Sequence, residues 1–118
     1  MIKIVMLSIL TILISASLAD ARIKAKGRGD KMNFDPESIP ANFQASFELM
    51  SRKCIKCHTM ERTVIAIVTG RAPITGQAFD KQAVKAYGIK MLRKPNADMS
   101  KPEIRDVVLL LNYMLENR

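Results

Sequence analysis

Cys54-Ile55-Lys56-Cys57-His58 holds both cysteines and the single histidine of the 118-residue chain. Two thiols three positions apart, followed at once by an imidazole, have few chemical uses. A structural zinc site takes four Cys or His ligands, and this chain owns three. A thioredoxin-like dithiol follows a strand in a βαβ unit, and nothing before Cys54 reads as such a strand. A disulfide between Cys54 and Cys57 would close a very small loop and leave His58 without a role. The spacing fits C-x-x-C-H, the attachment motif of c-type haem. There two thiols add across two porphyrin vinyl groups, and the adjacent histidine is carried under the iron as its proximal ligand. The expectation is one covalently attached haem c, held by Cys54 and Cys57, with His58 on the iron.

The opposite face of the iron needs its own assignment. With no second histidine, bis-histidine ligation within the chain is excluded. Methionine, lysine, an open or water-bound position, and a group from another chain remain. Met60 lies too close to His58 to cross to the other face. Met50 and Met114 fall on apolar helix faces where packing explains them, and Met32 lies in a basic N-terminal stretch. Met91 and Met99 stand well downstream, in an expected loop where the chain can return over the distal side.

The elements that must hold these residues follow from pattern. Residues 1–19 read as an export signal: Lys3, an apolar run from Ile4 to Ile14, then small residues allowing cleavage after Ala19 or Ala21. The localisation expected is periplasmic. The alternative is an uncleaved membrane anchor, for which the apolar stretch is slightly short. Cleavage would leave about 100 residues, near the lower limit for a comfortable core, and a large apolar cofactor would relieve that shortage. Residues 20–39 carry Arg22, Lys24, Lys26, Arg28 and Lys31 with Gly27 and Gly29, and read as a flexible basic arm, solvated or touching a membrane surface. Residues 40–118 form the folded domain.

Within that domain three helices are legible. The first starts near Pro40, a residue suited to a first helical turn, and places Phe43, Phe47, Met50 and Cys54 on one face. The run Val64-Ile65-Ala66-Ile67-Val68 fits a strand or a buried helix equally. Gly70 to Gly76 reads as a loop. A short second helix is capped by Asp80 and expected to end at Gly88. The third begins at Ser100-Lys101-Pro102-Glu103, a capping box. Its apolar face runs through Ile104, Val107, Val108, Leu111, Met114 and Leu115, widened by Leu109, Leu110 and Tyr113.

This order, with the haem motif after an N-terminal helix, a Gly/Pro loop, then a methionine segment and a C-terminal helix, resembles the class I monohaem cytochromes c of bacteria. The resemblance covers roughly residues 41–117. It implies an all-α fold of three to five helices packed around one haem. It also favours Met91 over Met99 as the distal iron ligand, because Met91 precedes the capping box by the family's spacing. Pro73 resembles the family proline whose carbonyl accepts the His Nδ1–H. The chain departs from the family in showing Met91-Leu92 instead of Met-Pro, and Ser46 and Met50 where a glycine and an aromatic are usual.

The function implied is a soluble single-electron carrier with His/Met ligation, not an enzyme, and monomeric. The alternative is a c-type haem protein with an open or displaceable distal position for gas binding or sensing. Cytochromes c′ work that way, but their motif lies near the C-terminus, whereas half of this chain follows His58. The formal charge of +8 suits redox partners with acidic surfaces. Arg52, Lys53, Lys56, Lys90, Arg93 and Lys94 flank the motif and Met91, and are expected to rim the haem crevice. No nucleic-acid-binding signature is present.

Overall fold

The computed structural model describes residues 22–56 and 58–118. The expected signal over 1–19, its cleavage sites and Cys57 lie outside the described residues. Over the described residues the fold is mainly α-helical, with four α-helices and a two-stranded hairpin: β1 (Ala25–Lys26), β2 (Asn33–Phe34), α1 (Gln44–Lys53), α2 (Met60–Thr69), α3 (Lys81–Arg93) and α4 (Lys101–Glu116). Among the described residues no helix is long and apolar enough to cross a membrane.

Helix α1 is led in by a 3₁₀ turn over Ala41–Phe43, directly after Pro40. The Gln44 side-chain amide donates to the carbonyls of Pro36 and Ile39, both at 2.8 Å, fixing the angle at which the chain arrives. Phe47 and Met50 are buried on the face expected of them, and a 3₁₀ turn over Cys54–Lys56 continues the helix into the motif. The ambiguous β-branched run is helical. Val64, Ala66 and Ile67 are buried while Val68 is 51% exposed, a helical and not an alternating pattern. Gly70 ends α2 in the left-handed region (φ 69°), its N–H donating to the Ala66 carbonyl.

Helix α3 is longer than expected. Asp80 caps it, its Oδ1 accepting from the Ala83 N–H at 2.9 Å, but Gly88 does not end it. Gly88 is a contact point. A Cβ placed there would lie 3.0 Å from Val108 Cγ2 and 3.3 Å from Ile104 Cγ2, so its missing side chain lets α3 approach α4. The helix stops instead at Lys94, whose backbone is extended (φ −77°, ψ 126°), as the residue before a proline is pushed to be. Met91 therefore sits in the last turn of a helix, not in a loop.

Helix α4 begins with both halves of its capping box. The Ser100 hydroxyl accepts from the Glu103 N–H at 3.3 Å, and Glu103 Oε1 accepts from the Ser100 N–H at 3.0 Å. Ile104, Val107, Leu110, Leu111 and Met114 are buried. Leu109 is exposed and does not widen the apolar face. The Phe43 and Tyr113 rings, with centroids 4.9 Å apart, join the lead-in of α1 to α4.

Over its described residues 22–39, the stretch expected to be a flexible arm is part of the fold. Ala25 pairs with Phe34 and Lys26 with Asn33, antiparallel. Ile23, Phe34 and Ile39 are buried in the same core cluster as Val64, Ile67 and Met114. The Ile23 N–H donates to the Asn117 carbonyl at 2.7 Å, tying the hairpin to the end of α4. The apolar side chains outweigh the surrounding cations: burying a Phe and two Ile contributes about 1.5–3 kcal/mol each, while the charged side chains stay in solvent.

Candidate functional site

A cavity of about 390 Å³ opens between α1, α2, α3 and the 70–79 loop. That is within the usual range of ligand pockets. Its floor is buried and apolar, formed by Met50 of α1, Ala66 of α2, Ala72 of the loop, and Val107 and Leu111 of α4. Its rim is exposed: Arg62, Pro73, Ile74, Thr75, Tyr87, Lys90 and Lys94. Ala66 and Ala72 make room where a larger side chain would close the space.

Four of the residues singled out by sequence line this one cavity: Cys54, His58, Pro73 and Met91. They come from four separate places, namely the 3₁₀ turn after α1, the segment before α2, the 70–79 loop and the last turn of α3. Met99 does not join them. It packs partly buried against the core and borders a shallow surface cleft with Leu92, Pro95 and Asp98. Met50 also reaches the cavity floor, four residues before Cys54 on the buried face of α1.

His58 is half-buried, with Nδ1 2.8 Å from the Thr59 carbonyl. A carbonyl only accepts, so Nδ1 carries the hydrogen in this contact and the neutral ring keeps its lone pair on Nε2. That is the tautomer a metal ligand needs, fixed through the other nitrogen. The acceptor is Thr59, not Pro73 as the resemblance implied, and Pro73 serves here as cavity wall. Among the described residues no three or more His, Cys, Asp or Glu side chains gather as a metal site. A haem iron asks less of the protein, since the porphyrin fills four positions and the chain supplies one or two axial ligands.

The expected positive rim forms only in part. Lys90 and Lys94 line the cavity and are joined by Arg62, which the sequence did not single out. Lys90 Nζ lies 5.3 Å from the centre of the Tyr87 ring, and Tyr87 packs on Phe79 with ring centroids 5.7 Å apart. Lys53 and Lys56 turn instead toward α4. Lys53 Nζ is 3.2 Å from Glu103 Oε2 and 3.7 Å from Asp98 Oδ2, and Lys56 Nζ is 3.1 Å from Asp98 Oδ2. The hydrogen bond from Lys56, with the nearby Lys53 charge, holds the Asp98 carboxyl below its usual range. The Ser100 N–H and then Lys53 do the same for Glu103.

Compared with known proteins, the chain matches no family model, no characterised protein and no solved structure. The functional reading therefore rests on the motif and on the cavity that surrounds it.

Proposed function

We infer that this protein is a single-electron carrier of the class I cytochrome c type, with one haem c bound through Cys54 and Cys57. The observation that carries the reading is the convergence of Cys54, His58, Pro73 and Met91 on one apolar-floored cavity. A bound haem would supply one-electron Fe(III)/Fe(II) chemistry there. His58, with its hydrogen on Nδ1, would hold the iron through Nε2, and Met91 of α3 would hold it through its thioether. The buried floor of Met50, Ala66, Val107 and Leu111 excludes water. Two protein ligands on the iron would leave no position for substrate, which would suit electron transfer over catalysis. Arg62, Lys90 and Lys94 place positive charge at the mouth, where it would balance propionates and steer acidic partners in a salt-sensitive way. The reading carries with it a periplasmic location behind a cleaved signal, and a monomeric, non-enzymatic protein. The basic groups of the 22–31 segment would give it a peripheral contact with anionic membrane surface.

The test is to express the chain with a c-type haem attachment system in a bacterial periplasm. The expected product keeps haem after denaturation, loses it in Cys54→Ala and Cys57→Ala together, shows a methionine-to-iron charge-transfer band, and does not respond to carbon monoxide. Met91→Ala should abolish the band, whereas Met99→Ala and Met50→Leu should keep it. A parent protein that is high-spin and binds carbon monoxide would replace the carrier with a ligand-binding protein. No covalent haem at all would end both readings.

A further inference from the structure

Asp98 is the one non-glycine residue with positive φ (50°) among the described residues, and it lies in the turn that joins α3 to α4. Such a conformation disfavours most side chains, although Asp tolerates it better than most. Two lysines hold it there. Lys56 reaches the Asp98 carboxylate, and Lys53 reaches both that carboxylate and the Asp98 backbone carbonyl. Lys53 also pairs with Glu103, whose other oxygen closes the α4 capping box. The Lys53 side chain is only 17% exposed, unlike an ordinary surface lysine. Both lysines belong to the motif segment: Lys53 directly precedes Cys54, and Lys56 lies between the two thiols. The partners belong to the turn and helix that follow Met91.

We propose that Lys53, Lys56, Asp98 and Glu103 form a clasp that fixes the segment carrying the thiols and His58 against the segment carrying Met91. Asp98 is a positioning residue: it touches neither iron ligand and acts through the turn that ends α3. This rests on the haem reading for its purpose, but not for its geometry. A lone exposed ion pair is worth little. Here one carboxylate and its own carbonyl meet two ammonium groups from a single short segment, so removing the carboxylate leaves the Lys53 bond to the carbonyl as the turn's one tie to the motif segment.

The experiment compares Asp98→Asn, Asp98→Gly and the remote control Asp35→Asn, which removes the charge facing Lys26 and keeps an oxygen for the Glu37 N–H. Asp98→Asn removes the charge alone, whereas Asp98→Gly removes the carboxylate and relieves the backbone as well. Two readouts are taken. Amide hydrogen exchange at Lys94 and Ala97, whose N–H groups bond to the Met91 and Lys94 carbonyls, is measured on the chain with or without haem. Displacement of the distal ligand by imidazole is measured on the haem-loaded protein. Both Asp98 variants should speed exchange and tighten apparent imidazole binding by about threefold or more, with Asp35→Asn unchanged. Parental exchange in both Asp98 variants overturns the clasp, whatever the haem content. Faster exchange with unchanged imidazole binding overturns the positioning role and leaves a structural brace. A parent protein without covalent haem brings down the haem reading separately, while the exchange result still decides the clasp.

Discussion

Helix α2 meets two different neighbourhoods on two of its faces. Met60, Val64 and Ile67 are closed off within one core cluster that includes Ile23 and Phe34, and Phe34 and Ile67 are 0% exposed. About a third of a turn away, Arg62, Thr63 and Ala66 line the cavity. The backbone is the same, so side-chain size decides the difference. Large apolar groups interlock on one face, while a small or polar set on the other leaves a bounded space that Met50, Val107 and Leu111 floor. A packed face and a cavity-lining face are thus separated on a single helix, and mutations on the two faces should have opposite signatures.

The largest effect belongs on the filled face. Phe34→Ala should cost about 3–5 kcal/mol, by loss of burial and by the void left behind, and should show as a marked fall in thermal midpoint. A dispensable basic arm would tolerate the same change, so an unchanged midpoint would return residues 22–39 to that role. Gly88→Val comes next, at about 1–3 kcal/mol, because the side chain must enter space already held by Val108 and Ile104. On the cavity face, Ala66→Leu should shift stability by under about 1.5 kcal/mol, since space is available, yet should lower covalent haem content in periplasmic expression. Equal destabilisation by Ala66→Leu and Gly88→Val would erase the distinction between a packed face and a cavity face.

How much of this was legible in the sequence depends on how local the signal is. The capping box at Ser100 and Glu103 and the face of Phe47 and Met50 depend on neighbours in the chain, and the structure has them where the pattern put them. Gly88 misled because a glycine that ends a helix and one that admits a neighbouring helix look alike until α4 is placed beside it. The hairpin was hidden by charge: Ile23, Phe34 and Ile39 stand too far apart to make a period, and four cations lie among them. Cys54 and His58 were readable as cavity residues because the motif that singles them out is contiguous. Arg62, Thr63, Ala66 and Tyr87 carry no local mark of a cavity wall, and only the packing of α2 and α3 brings them there.

The smallest predicted effect lies outside both faces of α2, in the electrostatics that join α1 to α4. Glu103 accepts from the Ser100 N–H and faces Lys53, which Asp98 also engages, and these contacts hold its carboxyl below its ordinary value of 4.5. A carboxyl with a lowered folded pKa binds its proton more weakly in the folded state than in the unfolded chain. Its stabilising contribution is then whole above the unfolded value and is lost as pH falls through the folded one. Thermal midpoints taken from about pH 6 down to about pH 3 should therefore fall less steeply for Glu103→Gln than for the parent. Glutamine keeps an oxygen for the Ser100 N–H, so the change isolates the charge on Lys53 from the cap. Because the carboxyl is exposed, added salt should shrink the difference. Parallel pH profiles at low salt would show that Lys53 adds nothing at Glu103, and would leave Asp98 as the sole anionic partner through which the motif segment is tied to the end of α3.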